Sequence, residues 1–334
     1  MNSQDALASA AATPPRRRWI KRICFGVVTL AVITLLTEVI LRVGWGFGNP
    51  PLLQVDPEIG YLFRPDQEIY RFGNRVKINR YHQRSEEVSP TPETGTVRVM
   101  CVGDSVTWGG VWSDQAETYP EILAASLRTK LGIPVEALNA SAGSWGVGNE
   151  AAYLARFGTF GSRWVVLQIG SDDLTQPTST GVVVGVDPRM PSERPLSAIG
   201  ELLGRSLGNT GAATNPSAPV NPPEDQLRMN LDHLRSAVRT ARATGAEVVI
   251  LHTPNRDEVV DLRGTGYATR HDWARSAFQK VCQEMDVRVV DLHARWRGQA
   301  DASMYFRDSI HPNPTGNREV AQAVAEALHG EKHQ

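Results

Sequence analysis

The sequence holds little that would staple, charge or metallate it. Only three cysteines occur in 334 residues: Cys24 in an apolar run, Cys101 in a strand-like run and Cys282 in a helix-like run. They match no disulfide framework and no metal-ligand spacing; a Cys101–Cys282 bridge stays open, with buried free thiols the simpler reading. Lysine plus arginine (35) almost balance aspartate plus glutamate (36), and a formal net charge of −1 gives nucleic acid no electrostatic purchase. Nor is there a phosphate loop, since "GSWGVG" lacks a following lysine and the dinucleotide spacing. No metal and no cofactor are implied.

What is present is enough apolar residue, 41% of the chain, to bury a full-sized core. One long hydrophobic run stands out, "ICFGVVTLAVITLLTEVILRV", over residues 23–43. At ~1.5 Å per residue it covers the ~30 Å hydrocarbon layer of a bilayer. Glu38 and Arg42 interrupt its far end at i,i+4 spacing, where they can pair near the interface. Arg16, Arg17, Arg18, Lys21 and Arg22 crowd the near end and direct the 1–22 tail to the cytoplasm. A cleaved signal peptide is the rival reading, but no small-x-small cleavage site follows the run. The expectation is a single-pass inner-membrane anchor with the remaining chain periplasmic or otherwise extracytoplasmic.

Residues 44–96 read as a juxtamembrane spacer with short alternating stretches that suggest edge strands or hairpins, ending in the linker-like "SPTPETGT". From residue 97 to 330, β-like runs alternate with amphipathic helical ones. Strands are expected over 97–102, 135–139, 164–169, 247–252 and 287–292, and helices over 118–131, 147–157, 225–244, 268–285 and 315–328. Five strands with intervening helices predict an α/β fold, a parallel sheet with helices on both faces. Residues 177–223, rich in proline, glycine, serine and threonine, interrupt that order as an irregular insertion, either a surface excursion with a short helix near 197–207 or a mobile loop.

In such folds chemistry gathers where strands end. The first strand ends in Gly103-Asp104-Ser105, the second in "NASAGSWGVGN", the third in "GSDDL", and "FRDSIHPNPTGN" follows the last. Serine is a weak nucleophile without a base, and Asp308 and His311, two residues apart before a helix, offer a base and its orienting acid.

These blocks, in this order, resemble the SGNH (GDSL-type) hydrolases over residues 97–328, and the words "EVILR" and "DPEIGYLFRP" are similar to membrane-anchored bacterial members. The resemblance implies a flavodoxin-like three-layer αβα sandwich and a triad of Ser105, Asp308 and His311. It implies an oxyanion site built from the Ser105 amide, an amide at Gly143 or Ser144, and a side chain at residue 172. There this chain departs from the family, for Asp172 stands where an asparagine is expected. A carboxylate donates no proton, so Asp172 serves only if burial keeps it protonated; otherwise Ser171 substitutes or Asp172 turns away. Asp104 is expected to cap the loop. Trp108 and Trp145 are candidates to line a substrate pocket and stack on a sugar, as is Trp112, and His252 closes a strand on the same rim. Asn79, His82 and Arg84 have too little context to assign. The resemblance implies a serine ester hydrolase whose partners are acylated carbohydrates or small esters, with the bilayer engaged through residues 23–43. An O-acyltransferase of the same chemistry and a catalytically weak scaffold in polysaccharide assembly are the alternatives.

Overall fold

Alternating burial builds the sheet. In β5 (Val97–Gly103), Met100 and Val102 enter one core cluster while Val99 and Cys101 enter another; in β7 (Trp164–Gly170), Val165 and Leu167 oppose Trp164 and Val166 in the same way. Period-two alternation with both faces apolar marks strands covered by helices on each side. A computed structural model describes residues 15–207, 221–261, 264, 266–299 and 301–329. Most of the expected 1–22 tail and part of the 177–223 insertion therefore lie outside the described residues.

The chain opens with helix α1 (Pro15–Trp45), whose side chains are exposed along nearly all its described length, and which is long and apolar enough to cross a membrane. Two antiparallel hairpins follow, β1 (Leu53–Asp56) with β2 (Gly60–Phe63), and β3 (Gln67–Arg71) with β4 (Asn74–Ile78). This stretch is more than a connector. Ile59, Tyr61, Leu62, Phe63, Ile69, Val76 and Ile78 are buried within the main core, so the hairpins are part of the globular body.

The main body runs β5, α2 (Ser105–Trp108), α3 (Tyr119–Leu131), β6 (Val135–Ser141), α4 (Val147–Phe157) and β7. It continues with α5 (Ala198–Leu207), α6 (Pro223–Ala243), β8 (Glu247–Thr253), α7 (Arg256–Val259) and α8 (Asp272–Glu284). Last come β9 (Arg288–Asp291), α9 (Leu292–Trp296) and α10 (Pro314–His329). The five-stranded sheet is parallel throughout, in the order β6-β5-β7-β8-β9. Counted along the sheet this is 2-1-3-4-5, the flavodoxin-like order, in which the chain reverses direction between β5 and β7 and opens a crevice at their carboxyl ends. The α4, α6 and α8 side and the α3 and α10 side make the outer layers. Cys101 and Cys282 are free and belong to opposite sheet faces, which rules out the bridge left open by the sequence.

Candidate active site

The β5–α2 junction holds Ser105 at the switch point. Asp104 caps α2 by accepting the Val106 amide (2.8 Å), and Gly109, at φ +75°, ends the helix one turn later. Only glycine tolerates the turn's start. A Cβ on Gly103 would lie 2.3 Å from Thr107 Oγ1 and 2.5 Å from Gln168 Oε1. Gln168, buried on β7, accepts from the Asp104 amide (3.1 Å) and Thr107 Oγ1 (3.0 Å) and donates to Thr253 (3.1 Å), tying the turn to the sheet.

The loop before α10 brings the partners. His311 Nε2 lies 2.9 Å from Ser105 Oγ across 206 residues of sequence, and His311 Nδ1 lies 2.9 Å from each Asp308 oxygen. Asp308 Oδ1 also accepts the amides of Ile310 (2.9 Å) and His311 (2.8 Å). Partial burial works against its ionisation, but those amides and the imidazole win and hold its pKa down to about 2. The hydrogen-bond network places the imidazole proton on Nδ1, which donates it to the Asp308 carboxylate, and leaves Nε2 as the acceptor facing the hydroxyl.

Two cavities meet at Ser105 and His311. One, of about 370 Å³, is walled by Phe63, Trp108, Trp112, Gly143 and the proline pair Pro50 and Pro51. The other, of about 180 Å³, is walled by Ser144, Asp172, Gln176 and Asn255. The Gly143 loop is fixed by the Tyr61 hydroxyl, which donates to the Gly143 carbonyl (2.5 Å), and Ser144 next to it is left-handed at φ +63°.

Asp172 borders the smaller cavity with Ser105, and there it is ionised, so the condition under which it could serve as a donor is not met. His271 donates to its Oδ1 (3.2 Å), outweighing burial, and Asn255 Nδ2 adds a second bond (2.9 Å), so its carboxyl is held below the usual range. It is a carboxylate at neutral pH and has no proton to donate. His271 sits between Asp172 and Glu258 (2.7 Å), and the two acids raise its pKa to about 9.

Two of the pocket-lining expectations are corrected. Trp145 is buried with Nε1 donating to the Tyr61 carbonyl (3.0 Å), and His252 is buried with Nδ1 at the Ile169 carbonyl (3.0 Å) against Phe278. Neither is among the walls of the two cavities described at Ser105. Trp108 does line the larger one, stacked on Phe63 at 4.1 Å. Arg84 is buried behind the nucleophile turn, donating to the carbonyls of Trp108, Gly110 and Ser113 (2.6 Å each). Asn79 and His82 take local bonds, His82 to the Phe63 carbonyl (2.7 Å).

Gln168, Asn255, His271 and Glu258 escaped sequence reasoning. A strand glutamine and a helix-start asparagine carry no pattern of their own; Asn255 was findable only as lying two residues past the fourth strand of the sheet, where the same strand-end logic applies.

The sequence model of the GDSL-like lipase/acylhydrolase family matches residues 101–319. None of the curated proteins matches the chain. Among solved structures, an acetylxylan esterase from Geobacillus stearothermophilus, as a catalytic mutant, aligns at 14% identity over 70% of this chain and 94% of its own, with TM-score 0.45. The acetyl xylan esterase AlAXEase aligns at 16% over 70% and 100%, with TM-score 0.46. A member of the lipolytic protein G-D-S-L family from Veillonella parvula DSM 2008 aligns at 16% over 70% and 98%, with TM-score 0.42. The family match spans both the Ser105 turn and the Asp308–His311 loop, and on it the chain belongs to the GDSL-like lipase/acylhydrolase family, as a hydrolase acting on ester bonds.

Proposed function

We propose that the protein is a membrane-anchored, extracytoplasmic serine esterase that removes O-acyl groups from carbohydrates or small esters through an acyl-serine intermediate. The observation that carries this reading is the continuous Ser105–His311–Asp308 chain of hydrogen bonds, each 2.9 Å. His311 Nε2 takes the Ser105 proton as Oγ attacks the ester carbonyl, and Asp308 stabilises the imidazolium. The tetrahedral intermediate collapses as the C–O bond to the alcohol breaks, and Nε2 returns the proton to the leaving oxygen. Water then repeats the sequence in reverse, its proton passing to Nε2 and back to Ser105 Oγ, to release the carboxylic acid.

The oxyanion would sit against the amides of Ser105 and Gly143. Asn255 supplies the side-chain donor that residue 172 lacks: its Nδ2 carries two hydrogens, Asp172 takes one, and the other serves the cavity that Ser105 and His311 share. Asp172 on this reading positions Asn255 and His271. Retention of α1 as a membrane anchor, supported by its apolar length and five-cation flank, puts the domain outside the cytoplasm.

Hydrolysis of a chromogenic acetyl ester tests the reading. Asp308→Asn should keep the fold and lower kcat on the order of ten-thousandfold, as loss of the orienting acid does in serine triads. A folded Asp308→Asn protein with full activity would remove the triad. Acyl transfer from that ester to an added oligosaccharide would mark a transferase instead.

A further inference from the structure

Glu38 and Arg42, the two charges inside the apolar run of residues 23–43, are both spent on one distant segment. Glu38 accepts the amides of Ala198 (2.8 Å) and Ile199 (3.0 Å), which begin α5, and pairs with Arg42 (2.6 Å). Arg42 also donates to the Leu196 carbonyl (3.0 Å). The helix that would cross the membrane thus caps α5 and fixes it alongside its last two turns.

Depth follows from length. The charge-free part of α1, residues 23–37, spans only ~22 Å of a ~30 Å hydrocarbon layer, so the remaining ~8 Å falls on residues 38–43. That is where α5 is docked, which puts α5 at the hydrocarbon edge.

The faces of α5 fit that position. Glu201 and Arg205 lie on one side; Ile199 and Leu203 lie about 180° away at ~100° per residue. The charged side is turned into the protein. Glu201 pairs with buried Arg71 (2.5 Å), accepts the Gly48 amide (2.6 Å) and holds Arg205 (2.8 Å). Arg71 and Arg205 are walls of the larger cavity at Ser105. On the outer side Leu203 is half exposed, and Leu196, two residues before α5, is 101% exposed. Pro50 and Pro51, which wall the same cavity, follow Trp45 at the end of α1 by five and six residues, so the cleft begins within ~20 Å of the helix end.

We propose that the outer face of α5, with Leu196 at its start, is a bilayer-docking surface, and that the cleft takes amphiphilic esters held in the outer leaflet. The polar ester reaches Ser105 while an apolar tail leaves along Pro50, Pro51, Leu53 and Met190 toward the membrane. This rests on the reading that α1 stays in the membrane.

The full chain is reconstituted in phosphatidylethanolamine–phosphatidylglycerol vesicles and given two fluorogenic acetates, one water-soluble and one carrying a hexadecyl tail in the same vesicles. In Leu196→Glu and Leu203→Glu, the rate on the tailed ester should fall by about tenfold or more, the effect of withdrawing a large aliphatic side chain from an apolar layer, with the soluble ester hydrolysed as before. Leu196→Phe should retain both rates. Equal loss on both esters, or loss on neither, overturns the docking surface. Alkaline carbonate extraction is the separate control: protein that washes off native membranes refutes the anchor, whereas retained protein with no selective loss refutes the docking surface alone.

Discussion

Replacing Asp172 with asparagine changes charge while keeping shape. Both bonds that Asp172 receives, from Asn255 Nδ2 and His271, end on Oδ1, and an asparagine oxygen there accepts both. The variant therefore keeps Asn255 in place and deletes one negative charge beside Ser105. Asp172 and Ser105 wall one cavity; for any two like charges roughly 6 Å apart at an effective dielectric of ~40, suited to half-exposed groups, Coulomb's law gives roughly 1.4 kcal/mol, or about tenfold in rate. An Asp172 side chain 45% exposed justifies that discount. Asp172→Asn should thus raise kcat/KM on a chromogenic acetyl ester by about tenfold, and Asp172→Ala, which frees Asn255, should fall below wild type. Stability moves the other way. His271 has a pKa raised to about 9 by Asp172 and Glu258, so its contribution is complete below its ordinary value and is lost as pH rises through about 9. Removing one of its two acids should cost about 1 kcal/mol at pH 6 after solvent screening, and nothing above pH 10. Thermal melts at the two pH values read the second effect. A folded but inactive Asp172→Asn would give the carboxylate a chemical role and refute the positioning argument.

Gly103→Ala forces a Cβ to 2.3 Å from Thr107 Oγ1, and a nucleophile turn displaced by about 1 Å should lose on the order of a hundredfold in kcat/KM; undiminished activity would show that the turn is not tight. Glu150, buried on α4 with Oε1 unpartnered among the described residues, has its carboxyl raised by burial and by nearby Asp104. Its contribution is complete at acid pH and is lost as pH rises. Glu150→Gln should therefore raise the melting temperature at pH 8 and leave it nearly unchanged at pH 4; a drop at pH 8 would mean that the group is paired and charged.

Ser105, Asp308 and His311 were legible because each stands in a short motif at a strand end, and strand ends in a parallel sheet converge on one crevice. Trp145 and His252 satisfy the same positional rule and fail it in space. Side chains beside a strand end alternate between crevice and core, and sequence does not say which way a loop turns Trp145 onto the Tyr61 carbonyl. The 53–78 hairpins were visible as alternation, but their place in the core depends on contacts with distant β and α elements that no local pattern encodes. Asp172 was singled out in the sequence as a departure from the family pattern. Its ionisation was left open by the sequence because the deciding neighbour, His271, lies about a hundred residues away along the chain.

The central claim is that Ser105 is the nucleophile, and covalent trapping tests it most directly. A fluorophosphonate probe reacted with the full-length protein, followed by peptide mass spectrometry, should place one adduct on the Ser105 peptide, and Ser105→Ala should show none while melting like wild type. Undiminished labelling of Ser105→Ala, or an adduct on another serine, would contradict the account.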